Sequence, residues 1–215
     1  MRYFQYISDA KVDVLLPQVS GALREKVAAR LGFDIKLISG SITTERATLD
    51  SRVARLSAVE SYVLDHESIG TPSEPLSWIK GEISAQFIDL GDGAVLFVAE
   101  EESWILALGG SAHHIVGAAK SEKISIPMSF APALAERIRY LTEKKVHIIL
   151  NLPEESLNLT TKAQGFYAWI ELIRAAQNLA VNPAQHIKFL AKRLASERQG
   201  KQITLASPLY VELID

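Results

Sequence analysis

Between Trp78 and Ala85 the side chains change character at every second position. Ile79, Gly81, Ile83 and Ala85 alternate with Trp78, Lys80, Glu82 and Ser84, and the strand runs on through Phe87 and Ile88. A period of two places one set on each face of a strand. Gly91-Asp92-Gly93 is a hairpin signal, and residues 94–99 form the returning strand. Glu100-Glu101-Glu102 makes an acidic turn, residues 104–108 a third strand, and Gly109-Gly110 a further turn into a fourth strand over residues 112–116. Ile124, Ile126 and Met128 add a fifth. Connections this short predict an antiparallel meander over residues 78–128.

Elsewhere the period lengthens. Residues 2–7 alternate aromatic and polar side chains as a first strand. Ser8 then stands at a helix N-cap with Asp9 in the first turn, and Val12, Leu15 and Leu16 give a short apolar face that Pro17 ends. Residues 22–31 read as a helix closed by Gly32, and Phe33, Ile35 and Leu37 as a strand. Over residues 45–66, Leu49, Val53, Leu56, Val59 and Val63 form a helical stripe. Gly70, Pro72 and Pro75 make residues 69–75 a loop.

The last third reads as helical. Pro132 opens a helix lined by Leu134, Ile138 and Leu141, and residues 146–150 are a short apolar run, strand or buried connection. A long helix from Thr160 or Thr161 carries Phe166, Trp169, Ile170, Ile173 and Ala176. Asn182 caps a further helix with Pro183 and Gln185 behind it. Ile187, Leu190 and Leu194 face inward, and Gly200 ends it. Residues 203–213 make a terminal strand whose Ser207-Pro208 argues for an edge or a bulge, and the first strand is its plausible neighbour. The expected class is α+β: an antiparallel meander sheet packed by helices, with the N- and C-terminal strands joining a sheet. The expected partition is one compact domain over 1–215, with residues 131–200 as the candidate helical subdomain.

Composition narrows the chemistry. The 215 residues are 48% hydrophobic and 22% charged, ordinary globular values, and none is cysteine. Disulfides, thiolate zinc sites, iron–sulfur clusters and cysteine nucleophiles are thereby excluded, and a reducing cytoplasm is the expected location. The first nine residues lack the apolar core of a signal peptide, and no apolar run approaches the roughly 20 residues that cross a bilayer. With 23 basic and 25 acidic residues, net charge −2, general nucleic-acid binding is not expected. The one basic cluster, Lys188, Lys192, Arg193, Arg198 and Lys201, reads as a solvated helix face or, alternatively, as an anion or phosphate-backbone patch.

The candidate chemistry is sparse. His113 and His114 titrate near neutrality and invite an acid–base role. Neighbours on a strand point to opposite faces, so they do not chelate one metal ion, and His66, His147 and His186 show no ligand spacing; no metal and no cofactor are expected. Gly110 and Ser111 can offer backbone N–H groups to an anion, or can simply turn the chain. No glycine-rich phosphate loop or nucleophile elbow is present. A second cluster gathers Tyr3, Tyr6, Ser8, Asp9, Lys11 and Asp13, with Asp9 and Asp13 on one helix face. They read either as acid–base or cation-binding carboxylates, or as acids favoured near a helix N-terminus.

Tyr6-Ile7-Ser8-Asp9-Ala10-Lys11-Val12-Asp13, the segment from Leu108-Gly109-Gly110-Ser111 to His114 and Gly117, and Ser207-Pro208-Leu209-Tyr210-Val211 resemble an uncharacterised bacterial family, mainly actinobacterial, a domain of unknown function. The resemblance spans nearly the whole chain and implies no reaction, cofactor or catalytic residue. The expected function is therefore a non-catalytic module, sensor or adaptor, that binds a small molecule or a protein partner. Its ligand contacts would be Gly110, Ser111, His113, His114 and Lys11. The rival is an enzyme acting on a nucleotide or other phosphorylated small molecule. His113, His114 or Asp9 would supply acid–base chemistry, Gly110 and Ser111 the anion donors, and Lys11 or Lys123 the charge partner. A third expectation is a homodimer formed through the helical third, at Tyr167 or Trp169.

Overall fold

The computed structural model describes residues 2–30, 52–91, 93–117 and 182–214, together with Ile173 and Gln177, both helical. Its first strand, β1 (Tyr3–Ile7), leads into helix α1 (Asp9–Leu15), which Pro17 converts to a 3-10 turn over Leu16–Gln18. Helices α2 (Gly21–Arg30) and α3 (Arg52–His66) follow, then the two-residue strand β2 (Ile69–Gly70). Three strands come next: β3 (Trp78–Gly91), β4 (Ala94–Glu100) and β5 (Trp104–Ser111). The chain finishes in two long strands, β6 (Gln185–Gln199) and β7 (Lys201–Leu213).

The sheet closes on itself. β3, β4 and β5 pair antiparallel in sequence order, as the short connections over residues 78–108 predict. β5 then pairs parallel with β7, β7 antiparallel with β6, and β6 antiparallel with the first half of β3. The order β6-β3-β4-β5 is a Greek key, and β7 completes a five-stranded barrel of the OB type. β1 and β2 lie outside it, β1 on the C-terminal half of β7 and β2 on the start of β3.

The expected α+β meander packed by helices is therefore overturned, and the decisive element is β6. Residues 185–199, expected as a helix capped by Asn182 and ended by Gly200, are a strand. Ile187, Phe189 and Ala191 are fully buried in the barrel interior with Ile79, Ile83, Val95, Phe97, Leu106 and Leu108. Burying each such large side chain stabilises the fold by about 1.5–3 kcal/mol, which outweighs helix propensities of under ~1 kcal/mol per residue. The helical spacing of Ile187, Leu190 and Leu194 arises because both faces of this strand are covered: Leu190 packs with the helices and Leu194 against the outer cluster. Gly200 has φ +73, a conformation that a helix end and a hairpin turn both use; here it turns β6 into β7.

The fourth expected strand is absent too. Ala112–His114 is a 3-10 turn, and Gly109 and Gly110 pair within β5 with Leu96 and Val95. The expected elements at 33–39, 45–51, 124–128 and 132–172 lie outside the described residues, as do Tyr167 and Trp169.

Two further clusters coat the barrel. Ala94, Leu96 and Val98 of β4 and Ile105 and Ala107 of β5 are buried with Ile173 on one side. Val12, Val27, Leu56, Val59 and Val63 of the helices pack on Trp78, Leu190, Leu209 and Tyr210 on another. Among the described residues no helix is long and apolar enough to cross a membrane.

Candidate functional site

The polar residues singled out in the sequence meet at a break in the barrel wall. Along one edge of β7, residues 202–206 pair with β5 and residues 210–213 with β1. Ser207, Pro208 and Leu209 fall between the two partners. Backbone groups stranded there need hydrogen bonds, and three devices meet the need. Pro208 brings no N–H. The N–H of Ser8 donates to Leu209 O at 2.8 Å. Lys11 Nζ donates to Pro208 O at 3.2 Å, to Ser207 Oγ at 2.7 Å and to Ser8 Oγ at 3.4 Å. On the other edge, Leu190 pairs with Tyr210 and Ala191 with Pro208, so Leu209 is the extra residue of a bulge, in keeping with the proline.

Tyr6 wedges into the same break from β1. A Cβ on Gly110 would lie 2.7 Å from Tyr6 Cζ and 2.9 Å from Cε2, so only glycine leaves room for the ring. The ring also meets Phe97 and His114 edge-on, with centroids 6.3 and 5.7 Å away. Its hydroxyl bonds the Ser8 side chain and the Ser111 backbone, and burial pushes the phenol far above its ordinary pKa.

Asp9 organises the rim. Its backbone N–H donates to His114 Nδ1 at 3.3 Å, which assigns the imidazole proton to Nε2. Its carboxylate takes two bonds from Arg52, Nε to Oδ1 at 2.7 Å and Nη2 to Oδ2 at 2.8 Å. Arg52 Nη2 also reaches Ile7 O at 2.9 Å and His114 O at 3.3 Å. Burial lowers the His114 pKa, with Lys11 and Arg52 acting in the same sense and Asp9 against it. Burial also pulls Lys11 down to about 8. One turn on, Asp13 pairs with Arg55, so the two acids expected on one face of α1 meet two arginines of α3.

The candidates thus separate. Asp9, Lys11 and His114 come together with Tyr6, Ser8 and Arg52. Gly110 and Ser111 are strand residues, and Ser111 Oγ accepts from the N–H of His113. Lys123 lies outside the described residues. Sequence reasoning missed Arg52 and Arg55, although their spacing matches that of Asp9 and Asp13 closely enough to suggest a pair of ion pairs. It also missed a second polar cluster in which Arg2 bridges Glu60 and Glu212 at 2.8 and 2.9 Å and Tyr210 donates to Glu60 at 2.6 Å. No pattern in the sequence announces that one.

The basic cluster, expected on a helix, lies on β6 and β7 and is largely paired. Lys188 meets Glu82 at 2.9 Å, Lys201 meets Glu100 at 3.0 Å, Lys192 stands 5.3 Å over the Trp78 ring, and Arg193 donates to Pro75 O. Among the described residues no three histidine, aspartate or glutamate side chains are grouped to hold a metal ion.

A cleft of about 690 Å³ opens elsewhere, between α3, β2 and the ribbon of β3, β6 and β7. Glu60, Leu64, Ile69, Thr71, Lys80 and Tyr210 are among its lining residues, and none of the candidates at the break lines it.

Comparison with known proteins adds one finding. The pattern of a family of unknown function, DUF7019, matches residues 2–215, and the chain belongs to that family. No curated protein and no solved structure matches it.

Proposed function

Membership in that family brings no reaction with it, and we propose that the protein is a non-catalytic binding module whose small-molecule ligand occupies the cleft beside β3 and β6. One observation carries the reading. The groups an acid–base mechanism would use are occupied in joining β1 to β7: His114 Nδ1 accepts from Asp9, Asp9 is clamped by Arg52, and Lys11 caps the break at Ser207 and Pro208. The cleft lies apart from them, and its volume is typical of small-ligand sites, about 300–1,000 Å³.

The barrel class is a scaffold and assigns no ligand by itself. Barrels of this kind commonly bind oligonucleotides or oligosaccharides on the outer face of their second and third strands. Here that face is β4 and β5, and its Ala94, Leu96, Val98, Ile105 and Ala107 are buried with Ile173. That burial favours the β3–β6 side as the ligand face.

The test is a thermal-shift screen of small metabolites on the wild-type chain, Leu64→Trp and His114→Gln. Leu64 is partly exposed at the cleft wall, so a tryptophan there fills the cleft at little cost to the fold. A ligand that prefers the folded state raises its stability. The expected hit stabilises the wild type and His114→Gln but not Leu64→Trp. Binding lost in His114→Gln and kept in Leu64→Trp would overturn the proposal in favour of chemistry at the break.

A further inference from the structure

We infer that the cleft takes a small monoanion with an apolar body, of the carboxylate class, and that Lys80 receives its charged end. This rests on the cleft being the ligand site. Four charged side chains line it: Glu60, Lys80, Glu82 and Lys188. Three are already answered. Glu60 Oε1 accepts from Tyr210 and Oε2 pairs with Arg2 at 2.8 Å, and Glu82 pairs with Lys188 at 2.9 Å. Lys80 makes no hydrogen bond or ion pair among the described residues and acts only at longer range on Glu82. The four lining charges sum to zero, and Lys80 is the one among them with no partner of its own among the described residues.

The rest of the lining is largely apolar. Leu64, Ile69, Phe189 and Tyr210 contribute to it. Thr71, the hydroxyl at the rim, is occupied in its own turn, bonding Ser73 Oγ at 3.0 Å and the Glu74 N–H at 3.2 Å. A ligand therefore meets one cation and an apolar surface, and little that reads a polar body. A polyphosphate fits poorly: its several negative charges would find only one lining lysine without a partner among the described residues. An exposed lysine contributes little affinity in water. Its effect is selectivity, while the apolar body supplies most of the binding.

The experiment follows amide resonances of the whole chain while octanoate, octanol, inorganic phosphate or ATP is added. Octanoate is expected to move the amides of Ile69, Gly70, Thr71, Lys80, Gly81, Glu82 and Lys188. Octanol should move the same set at roughly two- to fivefold higher concentration, a gap that follows from one exposed ion pair. Phosphate and ATP should leave them in place. Lys80→Gln, a surface change that keeps the strand, should erase the preference for octanoate and leave octanol binding intact. Equal affinity for octanoate and octanol, a preference that survives Lys80→Gln, or tighter binding of ATP at these amides overturns the carboxylate assignment and leaves the cleft standing as a site. If no probe moves these amides, the cleft reading falls with it.

Discussion

Lys11 carries a charge into a place poorly suited to it, and stability should record that. Its ammonium faces two hydroxyls and a carbonyl, with no carboxylate bonded to it among the described residues, and burial pulls its pKa to about 8 from a free value of 10.5. The folded state thus holds this proton less tightly than the unfolded chain. Between the two values the unfolded chain binds more protons, so stability rises with pH across that window. Below pH 8 both states are charged and the whole desolvation cost is present. Integrating over the two titrations gives a gain of about 2.5 kcal/mol between pH 7 and pH 10. The bonds that Lys11 donates to Ser207 Oγ and Pro208 O favour the ammonium, so about 2.5 kcal/mol is the ceiling of the effect.

Other groups titrate in the same range, and two oppose the trend. Tyr6 and Tyr210 have raised pKa values, so their contribution is present below pH 10 and is lost above it. The quantity to measure is therefore a difference. Urea unfolding, followed by circular dichroism at pH 7, 8, 9 and 10, is compared for the wild type and Lys11→Met. The wild type should gain on the variant steadily from pH 8 upward, by about 1–2.5 kcal/mol in total. A difference that stays level, or that moves against the wild type as pH rises, would refute the idea that desolvation dominates at this lysine.

Four further outcomes follow from the same geometry. Gly110→Ala drives a methyl into the buried Tyr6 ring and should cost about 1–3 kcal/mol, which lowers the melting temperature by about 2–4 °C per kcal/mol in a chain of this size; a neutral result by calorimetry would show that the ring yields. Arg52→Ala leaves Asp9 and the Ile7 carbonyl without their donors and should cost about 1–2 kcal/mol in urea unfolding, whereas Arg55→Ala, at a more exposed pair, should cost under about 0.5 kcal/mol. The lowered pKa of His114 means that its contribution is present above about pH 6.5 and is lost as the pH falls below that, so the wild type should lose its advantage over His114→Gln between pH 7 and pH 5; an unchanged difference would place the imidazole in solvent. With Lys188, Lys192 and Lys201 paired to glutamates, fluorescence anisotropy should detect no binding of an oligo-dT at about 150 mM salt.

How much of this was legible depends on which side of a strand its neighbours cover. β3, β4 and β5 show themselves because Gly91-Asp92-Gly93 and Glu100-Glu101-Glu102 interrupt alternating or apolar runs. β6 hides because Ile187 and Phe189 serve the interior while Leu190 serves the helical layer, so its apolar positions satisfy a period of 3.6 as well as one of two. Closure was illegible for another reason: the parallel pairing of β5 with β7 joins residues almost a hundred positions apart, which no local period encodes. At the site, Asp9, Lys11 and His114 were visible as polar residues in conspicuous places. Their partners were not, because Arg52 and Ser207 come from distant elements.

The polar residues of the break are there for a topological reason. A strand that changes partners along one edge must pass through a stretch with no partner, and β7 does so at Ser207, Pro208 and Leu209. A buried carbonyl left unpaired costs roughly 1–3 kcal/mol, more than most single contacts in the fold return. Proline reduces the demand by removing a donor, and the Ser8 N–H and Lys11 ammonium answer the two carbonyls that remain. Tyr6 fills the wedge of space that opens as β5 leaves β7, which in turn requires glycine at position 110. A sequence reader meets these residues as a serine, an aspartate, a lysine, two glycines and two histidines near one another in short motifs, and such a list invites chemistry. The barrel's closure accounts for most of them without any: Arg52 orients Asp9, Asp9 orients His114, and His114 packs on the tyrosine that plugs the gap. What the closure leaves unexplained is Lys80, which has no hydrogen bond or ion pair among the described residues and lines the cleft on a different face, where the proposed ligand would sit.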